Sequence, residues 1–308
     1  MNFIDLFSGI GGMRIPFQEY GLKCVFSSEI DKFASMTYEA YFGEKPSGDI
    51  TKIHPRDIPK FDILLAGFPC QPFSQAGLKR GLNDKRGEIF FIIRDIISHH
   101  RPKAFLLENV KGLRNHDNKK TLRRIYNELE SLGYNVLSKI IAAKDFNLPQ
   151  RRERIYIVGF KTKKSKSKFY FPEPLKLENK LRNILEKKPN KKYTISDTLW
   201  KGHVERKERN KKRGVGFGYS LFERNSDFVN TISARYYKDG SEILIKQKNR
   251  NPRKITPLEA CRLQGFPDQI IHKAKAVNVS DNQLYKQLGN AVAVNVIRHI
   301  ANNLLKAL

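Results

Sequence analysis

Residues 3–14 read FIDLFSGIGGMR, an apolar run that passes through three glycines into a helical pattern. The run at residues 3–7 predicts a strand, and the apolar spacing from residue 13 predicts a helix. Glycines at such a connection let a ligand approach the backbone, and the N-terminus of a helix favours an anionic group. The segment therefore favours a site for an adenosyl-type ligand over the alternative of a tight turn that binds nothing.

Strand and helix patterns continue to alternate through the first half of the chain. We predict strands at residues 3–7, 24–28, 62–66, 104–107, 136–141 and 155–160, and helices at residues 13–20, 32–41, 88–100 and 119–132. This alternation predicts an α/β fold with a doubly wound, mostly parallel sheet. Ligands of such sheets bind beyond the carboxyl ends of the strands.

The pattern changes after residue 160, where lysine-rich stretches and a glycine- and aromatic-rich segment replace the alternation. Residues 230–237 (NTISARYY) and 241–247 (SEILIKQ) look like two short strands around a Lys238-Asp239-Gly240 turn, since Asp-Gly favours hairpins. This part predicts a small β-rich second domain. Helical patterns return at residues 257–264 and from residue 281 onward.

The chain is strongly basic, with 58 Lys and Arg against 31 Asp and Glu and a formal net charge of +27. Such an excess attracts polyanions and indicates nucleic-acid binding, although a biased genome could produce the same composition. No apolar run is long enough to span a bilayer, and the N-terminus lacks the pattern of a signal peptide. We therefore expect a cytoplasmic protein that does not bind membranes.

One cysteine lies in an unusual setting. Cys70 is the fourth residue of GFPCQPFSQAG, which directly follows the third predicted strand. A thiolate with a lowered pKa is a strong nucleophile, and a polar loop rich in proline and glycine is an odd place for a packing cysteine. We favour a nucleophile, and we interpret Cys24 and Cys261 as packing residues. The three cysteines have no Cys-x-x-Cys spacing, which argues against disulfides and a zinc site.

Charged residues also lie at the ends of predicted strands. Glu29 follows the second strand and could accept hydrogen bonds from ribose hydroxyls, and Asp49 could bind an adenine amine. Glu108 ends the fourth strand, while Arg152 and Arg154 enter the sixth on the same side. Singly, Glu108 or Arg154 would more often be a surface or salt-bridge residue. Their shared edge is what indicates a site.

The ordered motifs resemble those of one family. DLFSGIGG, GFPCQPFS, ENV, QRRERIYIVG, TPLEACRLQGFPD and QLGNAV follow one another as in the DNA (cytosine-5) methyltransferases of the bacterial restriction-modification or orphan type. The resemblance runs from residue 3 to about residue 300 and is weak at residues 171–251.

This resemblance implies a covalent mechanism. Cys70 matches the nucleophile that adds to carbon 6 of cytosine, and Glu108 matches the residue that holds or protonates ring nitrogen 3. Arg152 and Arg154 match two arginines that bind the base carbonyl and a nearby phosphate. The target base must leave the duplex first, because carbon 6 is inaccessible in the stack.

The resemblance also implies S-adenosyl-L-methionine as cofactor. The positions that match the family's cofactor site are Phe7, Gly9, Gly11, Glu29, Ile30, Asp49, Ile50, Pro69, Ile89, Asn290 and Val292. It further implies a catalytic and cofactor-binding domain at residues 1–172, a target recognition domain at 173–275, and a helical segment at 276–308 that returns to the first domain.

The implied partner is double-stranded DNA, bound by a monomer, with a restriction endonuclease as a genetic rather than physical partner. The middle of the chain resembles recognition regions for palindromes of the CC-and-GG type. The candidate DNA contacts are Ser74, Thr231, Ser233, Arg235, Tyr237 and Lys238. Arginine suits guanine readout, but contacts to phosphates alone are commoner.

Three alternatives differ in what they require. A zinc-dependent cytosine deaminase needs Pro-Cys-x-x-Cys, whereas Gln-Pro-Phe-Ser follows Cys70 here. A non-catalytic DNA-binding protein would not need the intact set of Cys70, Glu108 and two arginines. A tRNA substrate is the closest rival, and the sizeable basic middle region favours DNA over it.

Overall fold

A computed structural model describes residues 1–68, 88–175, 180–214 and 216–308. The described residues form a six-stranded sheet in the order β2-β1-β3-β4-β6-β5. Its strands are β1 (Asn2–Leu6), β2 (Lys23–Ser28), β3 (Ile63–Gly67), β4 (Ala104–Val110), β5 (Asn135–Ala142) and β6 (Glu153–Phe160). β1 pairs in parallel with β2 and β3, and β3 with β4, whereas β6 runs antiparallel to β4 and β5. The predicted α/β fold with a mostly parallel sheet is confirmed.

Helices cover both faces of this sheet. The helices of the first half are α1 (Arg14–Glu19), α2 (Lys32–Phe42), α3 (Glu88–His100), α4 (Lys120–Ser131) and α5 (Lys163–Lys168). Phe3 and Leu65 face a cluster that includes Phe17 of α1, and Ile4 and Phe105 face the opposite cluster. β3 and β4 are nearly continuous apolar runs because both of their faces are buried.

The middle region, residues 180–255, contains both helix and strand, so the predicted β-rich second domain is not confirmed. It contains α6 (Asp197–Lys212), which the sequence pattern did not predict, and a three-stranded sheet in the order β7-β8-β9. These strands are β7 (Leu221–Phe222), β8 (Leu244–Gln247) and β9 (Arg250–Lys254).

The strand predicted at residues 230–237 is wrong. These residues lie in turns and irregular backbone, and β8 pairs with β9 instead. The Tyr236 backbone N–H donates to the Ser233 carbonyl, and the Gly240 N–H donates to the Tyr236 carbonyl. The buried Tyr236 hydroxyl also donates to the Ile243 carbonyl and accepts from the Ile255 N–H. These local bonds replace the ladder of a strand.

The last part of the chain is helical, as predicted, but it has four helices where two helical stretches were predicted. Its helices are α7 (Pro257–Leu263), α8 (Gln269–Ala276), α9 (Asp281–Asn290) and α10 (Val294–Ala307). Ile297 of α10 shares a core cluster with Phe3 of β1, and Gln287 of α9 accepts a hydrogen bond from Thr37 of α2. The C-terminal helices therefore pack on the first half of the chain. No helix within the described ranges is long and apolar enough to cross a bilayer.

Candidate active site

A cavity of about 500 Å³ lies at the carboxyl edge of the large sheet. Its walls come from the segments after β1 and β2, the turn at residues 48–51, the ends of β3 and β4, the start of β6 and the end of α9. This is the edge at which a parallel α/β sheet binds its ligands.

The turn after β1 has a strained backbone on the cavity wall. Phe7 has a φ of 53°, in a left-handed region that costs a non-glycine residue about 1–3 kcal/mol. Gly9 has a φ of 54°, and a Cβ added there would meet nothing within 4 Å. The glycine therefore supplies the backbone conformation and leaves open space on the cavity side.

Glu29 ties this turn to the end of β2. Its Oε2 accepts a hydrogen bond of 2.8 Å from the Gly9 backbone N–H, and its Oε1 accepts one of 2.7 Å from the Asp31 N–H. Burial raises the pKa of Glu29, and the hydrogen bonds that it accepts from the backbone oppose that shift. Each carboxylate oxygen can accept a second hydrogen bond from a ligand.

Most of the predicted cofactor residues meet at this cavity. Those that line it are Phe7, Gly9, Glu29, Ile30, Asp49, Ile50, Ile89, Asn290 and Val292. Gly11 is not among the lining residues: its φ is 83°, and an added Cβ would lie 2.2 Å from the Phe42 ring. Residue 11 is therefore a glycine because the turn packs closely against α2, which leaves no space for a side chain. Pro69 lies outside the described residues.

Several buried polar atoms on the cavity wall have no hydrogen-bond partner among the described residues. These atoms are Asp5 Oδ2, Ser8 Oγ, Glu108 Oε1, Arg152 Nε and Gln287 Nε2. Unsatisfied buried polar atoms are costly, so their concentration here indicates a polar ligand. The sequence reasoning missed Asp5, Ser8 and Gln287 as site residues. A carboxylate inside the apolar β1 run was the available signal.

Glu108 and Arg154 form an ion pair at the end of β4. Arg154 Nε lies 3.2 Å from Glu108 Oε1, without the geometry of a hydrogen bond. Antiparallel pairing of β6 with β4 brings Arg154 opposite Val110, two residues beyond Glu108. Burial raises the pKa of Glu108, while Arg154 and Arg152 oppose the shift.

Arg152 is 2% exposed and precedes β6. Its Nη2 donates to the Ala291 carbonyl at 2.6 Å, and its Nη1 donates to the carbonyls of Gly289 at 3.2 Å and Ile232 at 3.5 Å. A cation near the carbonyls that end α9 is favourable. Arg152 therefore joins the sheet, the C-terminal helices and the middle region.

The predicted nucleophile, Cys70, lies outside the described residues, as does Ser74. The chain that leads to Cys70 is held at the cavity up to Phe68, whose backbone N–H donates to the Glu108 carbonyl at 3.3 Å. The Phe68 carbonyl accepts a hydrogen bond of 2.9 Å from the Asn109 side chain. Phe68 precedes Cys70 by two residues in the sequence.

The other two cysteines are buried, as predicted for packing residues. Burial raises the pKa of the Cys24 thiol to about 11 and also raises the pKa of the Cys261 thiol. Both are therefore poor nucleophiles near neutral pH. Within the described ranges, no three His, Cys, Asp or Glu side chains cluster in a way that could hold a metal ion.

The predicted DNA contacts of the middle region lie outside the cavity lining. Arg235 and Lys238 are exposed, whereas Thr231, Ser233 and Tyr237 are half-buried. Their segment nevertheless starts at the cavity wall: the Ile232 N–H donates to Gln150 Oε1 at 3.0 Å, and a Cβ on Gly289 would lie 2.3 Å from the Ser233 carbonyl.

The sequence is similar to enzymes that modify cytosine. Residues 1–306 match the family model described as C-5 cytosine-specific DNA methylase. Type II methyltransferase M.DsaV of Dactylococcopsis salina is 58% identical over 99% of this chain and 86% of its own length. Type II methyltransferase M1.ScrFI of Lactococcus lactis subsp. cremoris is also 58% identical, over 100% of this chain and 78% of its own length.

The fold is similar to that of solved methyltransferases. The Dnmt2 methyltransferase of S. pombe superposes with a TM-score of 0.83, covering 99% of this chain and 98% of that chain, at 21% sequence identity. This identity is low, so the likeness supports the fold alone.

Proposed function

The chain belongs to the C-5 cytosine-specific DNA methylase family and is a DNA (cytosine-5) methyltransferase, and from this premise we propose that Cys70, Glu108, Arg152 and Arg154 carry out its chemistry. The observation that carries the proposal is the Glu108–Arg154 pair, which lies on the wall of the cavity at the end of β4. Phe68, two residues before Cys70, is bonded to the same strand end.

The family implies S-adenosyl-L-methionine as methyl donor, and the cavity residues fit it. We assign the ribose hydroxyls to Glu29, the adenine to the neighbourhood of Ile30, Asp49 and Ile50, and the amino acid moiety to the turn after β1. Asp5 Oδ2 is buried and has no hydrogen-bond partner among the described residues, which suits it to bind the ammonium group of the amino acid moiety. When bound, the cofactor supplies an electrophilic methyl group.

The protein's part in the reaction is to activate the base. The Cys70 thiolate forms a bond to carbon 6 of cytosine, and the electron pair of the 5,6 double bond shifts into the ring, so that carbon 5 becomes nucleophilic. Glu108 donates its proton to ring nitrogen 3 and neutralises the charge that develops there. After methyl transfer, water takes the proton from carbon 5, the electron pair of that bond restores the 5,6 double bond as the Cys70 thiolate departs, and ring nitrogen 3 returns its proton to Glu108.

Two arginines would hold the base and its strand. We assign the base carbonyl to Arg154, which lies beside Glu108. Three backbone carbonyls accept hydrogen bonds from Nη1 and Nη2 of Arg152, so its main role is to fix the wall beside the base. Its Nε has no partner among the described residues and is a donor that a ligand can use. Target cytosine must be extruded from the duplex to reach this cavity.

We propose that residues 1–172 form the catalytic domain, residues 173–275 the recognition domain, and residues 276–308 the returning segment. Ser74, Thr231, Ser233, Arg235, Tyr237 and Lys238 are the proposed DNA contacts, and a palindrome of the CC-and-GG type is the proposed target. We further propose a cytoplasmic monomer with an endonuclease as genetic partner.

Bisulfite sequencing of DNA from a host that expresses the chain tests target and product together. Unconverted cytosines within one repeated motif support the proposal, and complete conversion contradicts it.

Replacing Glu29 with alanine is expected to raise the Kd for S-adenosyl-L-methionine by about tenfold or more, since hydrogen bonds to a charged group contribute roughly 1.5–3 kcal/mol. Titration calorimetry measures the change. Glu39→Ala on α2 is the matched control, because Glu39 is exposed and lies outside the cavity lining. An unchanged Kd in Glu29→Ala would remove Glu29 from the cofactor site.

Replacing Arg235 with alanine is expected to lower discrimination between the target and singly substituted sites by roughly tenfold, the effect of losing one contact to a base. Methylation rates on matched duplexes at several salt concentrations measure it. Arg209→Ala removes an equal charge from exposed α6 and should change only the salt dependence. If Arg235→Ala changes only the salt dependence, as Arg209→Ala should, then Arg235 contacts phosphate alone.

A further inference from the structure

Helix α6 packs beside the recognition turn, which we define as residues 231–240. One face of the helix carries His203 and Arg206, and both side chains contact Asp239 at the end of that turn. His203 is 1% exposed, although its helix is otherwise strongly polar. None of these three residues lines the cofactor cavity.

Arg206 joins three segments that are separated in sequence. Its Nη1 donates to Asp239 Oδ2 at 2.9 Å, and its Nη2 donates to the Gly218 carbonyl at 2.8 Å. The same Nη2 lies 2.9 Å from His203 Nδ1. The planar guanidinium group presents its N–H donors in a fixed arrangement and can bind these acceptors at the same time. The ammonium group of a lysine, at the end of a flexible chain, has no such fixed arrangement of donors.

The bonds of His203 determine its protonation. Since Arg206 has only donors, His203 Nδ1 must be the acceptor, and the proton of the neutral ring is then on Nε2. Nε2 lies 3.2 Å from the Asp239 carbonyl and donates to it. Asp239 Oδ1 also accepts from the Ser241 N–H at 3.1 Å, so side chain and backbone of Asp239 are both held.

We infer that Arg206 and His203 are positioning residues for target recognition, because they fix the end of the turn that presents Arg235 and Lys238 to DNA. The inference rests on the proposed function of that turn. Its other fixed points are Ile232, bonded to Gln150 and Arg152, and the buried Tyr236. Between these points Arg235 and Lys238 remain exposed.

DNA recognition and methyl transfer should then be affected separately. Loss of the contacts to Asp239 should displace Arg235 relative to a base. Because hydrogen bonds to base edges are directional, a small displacement weakens them and lowers discrimination between DNA sequences. The cofactor cavity should be unaffected, because its lining includes no residue of α6 or of the recognition turn. The contact of the turn with the cavity-lining Arg152 is at Ile232, at the opposite end of the turn from Asp239. We expect a higher KM for DNA and poorer discrimination, with kcat and the cofactor Kd retained.

The experiment compares Arg206→Ala, Arg206→Lys, Arg209→Ala and Arg235→Ala in the full chain. Each variant is assayed for KM and kcat on a target duplex, for rates on singly substituted duplexes, and for cofactor Kd. Thermal unfolding reports whether each variant is folded at the assay temperature. Arg206→Lys keeps the positive charge without the fixed arrangement of donors, and Arg209→Ala removes the same charge from an exposed position of the same helix.

We expect both Arg206 variants to lose roughly tenfold in discrimination, as Arg235→Ala does, with kcat at saturating DNA within about twofold of the wild-type value. Full rescue by Arg206→Lys, or an effect of Arg206→Ala no larger than that of Arg209→Ala, would overturn the inference. If Arg235→Ala itself leaves discrimination intact, the proposed role of the turn fails. If Arg235→Ala loses discrimination while Arg206→Ala keeps it, only the positioning role fails.

Discussion

Cys70→Ser is expected to lower the rate of methyl transfer by about a thousandfold or more, because a serine hydroxyl is not ionised near neutral pH and is a far weaker nucleophile than a thiolate. Single-turnover assays with a labelled methyl donor and a target duplex measure the rate of transfer. Cofactor binding, measured by calorimetry, should be unchanged, since the assigned role of Cys70 is with the base.

Cys24→Ala is the control for loss of a thiol. Cys24 is buried in β2, and its replacement is expected to lower stability modestly while the rate per folded molecule stays near the wild-type value. Equal turnover by Cys70→Ser and the wild-type enzyme would show that residue 70 is not the nucleophile.

Glu108→Gln is expected to slow methyl transfer by about a hundredfold, within the range contributed by general acid catalysis. The amide keeps the shape of the side chain but cannot give a proton to ring nitrogen 3. It also leaves Arg154 without the carboxylate that now lies 3.2 Å from its Nε.

The pH dependence of kcat tests the same role. Burial raises the pKa of Glu108, so the carboxyl group holds its proton to a higher pH than an ordinary glutamate does. A rate that needs the protonated form falls as the pH rises through that raised pKa, and Glu108→Gln should lose this falling limb. Glu153→Gln is the matched control, because Glu153 begins β6 but is exposed and pairs with Lys111. A falling limb that persists unchanged in Glu108→Gln would contradict the assignment of the proton to Glu108.

The sheet could be predicted because its strands are short apolar runs bounded by turns. β3 and β4 show this most clearly, and parallel pairing then places the residues after them at one edge. Glu29, which follows the parallel strand β2, and Asp49, in the turn before β3, lie at the cavity at this edge, as expected. The sequence could not reveal that β6 runs antiparallel, although this reversal is what brings Arg154 to Glu108.

The middle region could not be predicted from hydrophobic periodicity, because its apolar side chains enter a core cluster from irregular backbone that polar contacts fix. Ile232, Ala234 and Tyr236 alternate as in a strand, yet Tyr236 is held by bonds of its hydroxyl to Ile243 and Ile255. Helix α6 has little apolar patterning and is fixed to its neighbours through His203 and Arg206. The burial of Arg152 against three carbonyls likewise depends on tertiary structure.

Covalent catalysis by Cys70 at an extruded cytosine is tested most directly by a duplex with 5-fluorocytosine at the target position. Fluorine replaces the hydrogen that must leave carbon 5, so elimination of the thiolate is blocked after methyl transfer. We predict a complex of protein and DNA that survives denaturation, requires S-adenosyl-L-methionine, and yields on digestion a modified peptide containing Cys70. Methylation of the ordinary duplex without any such complex on the fluorinated one, or an adduct on another residue, would contradict the claim.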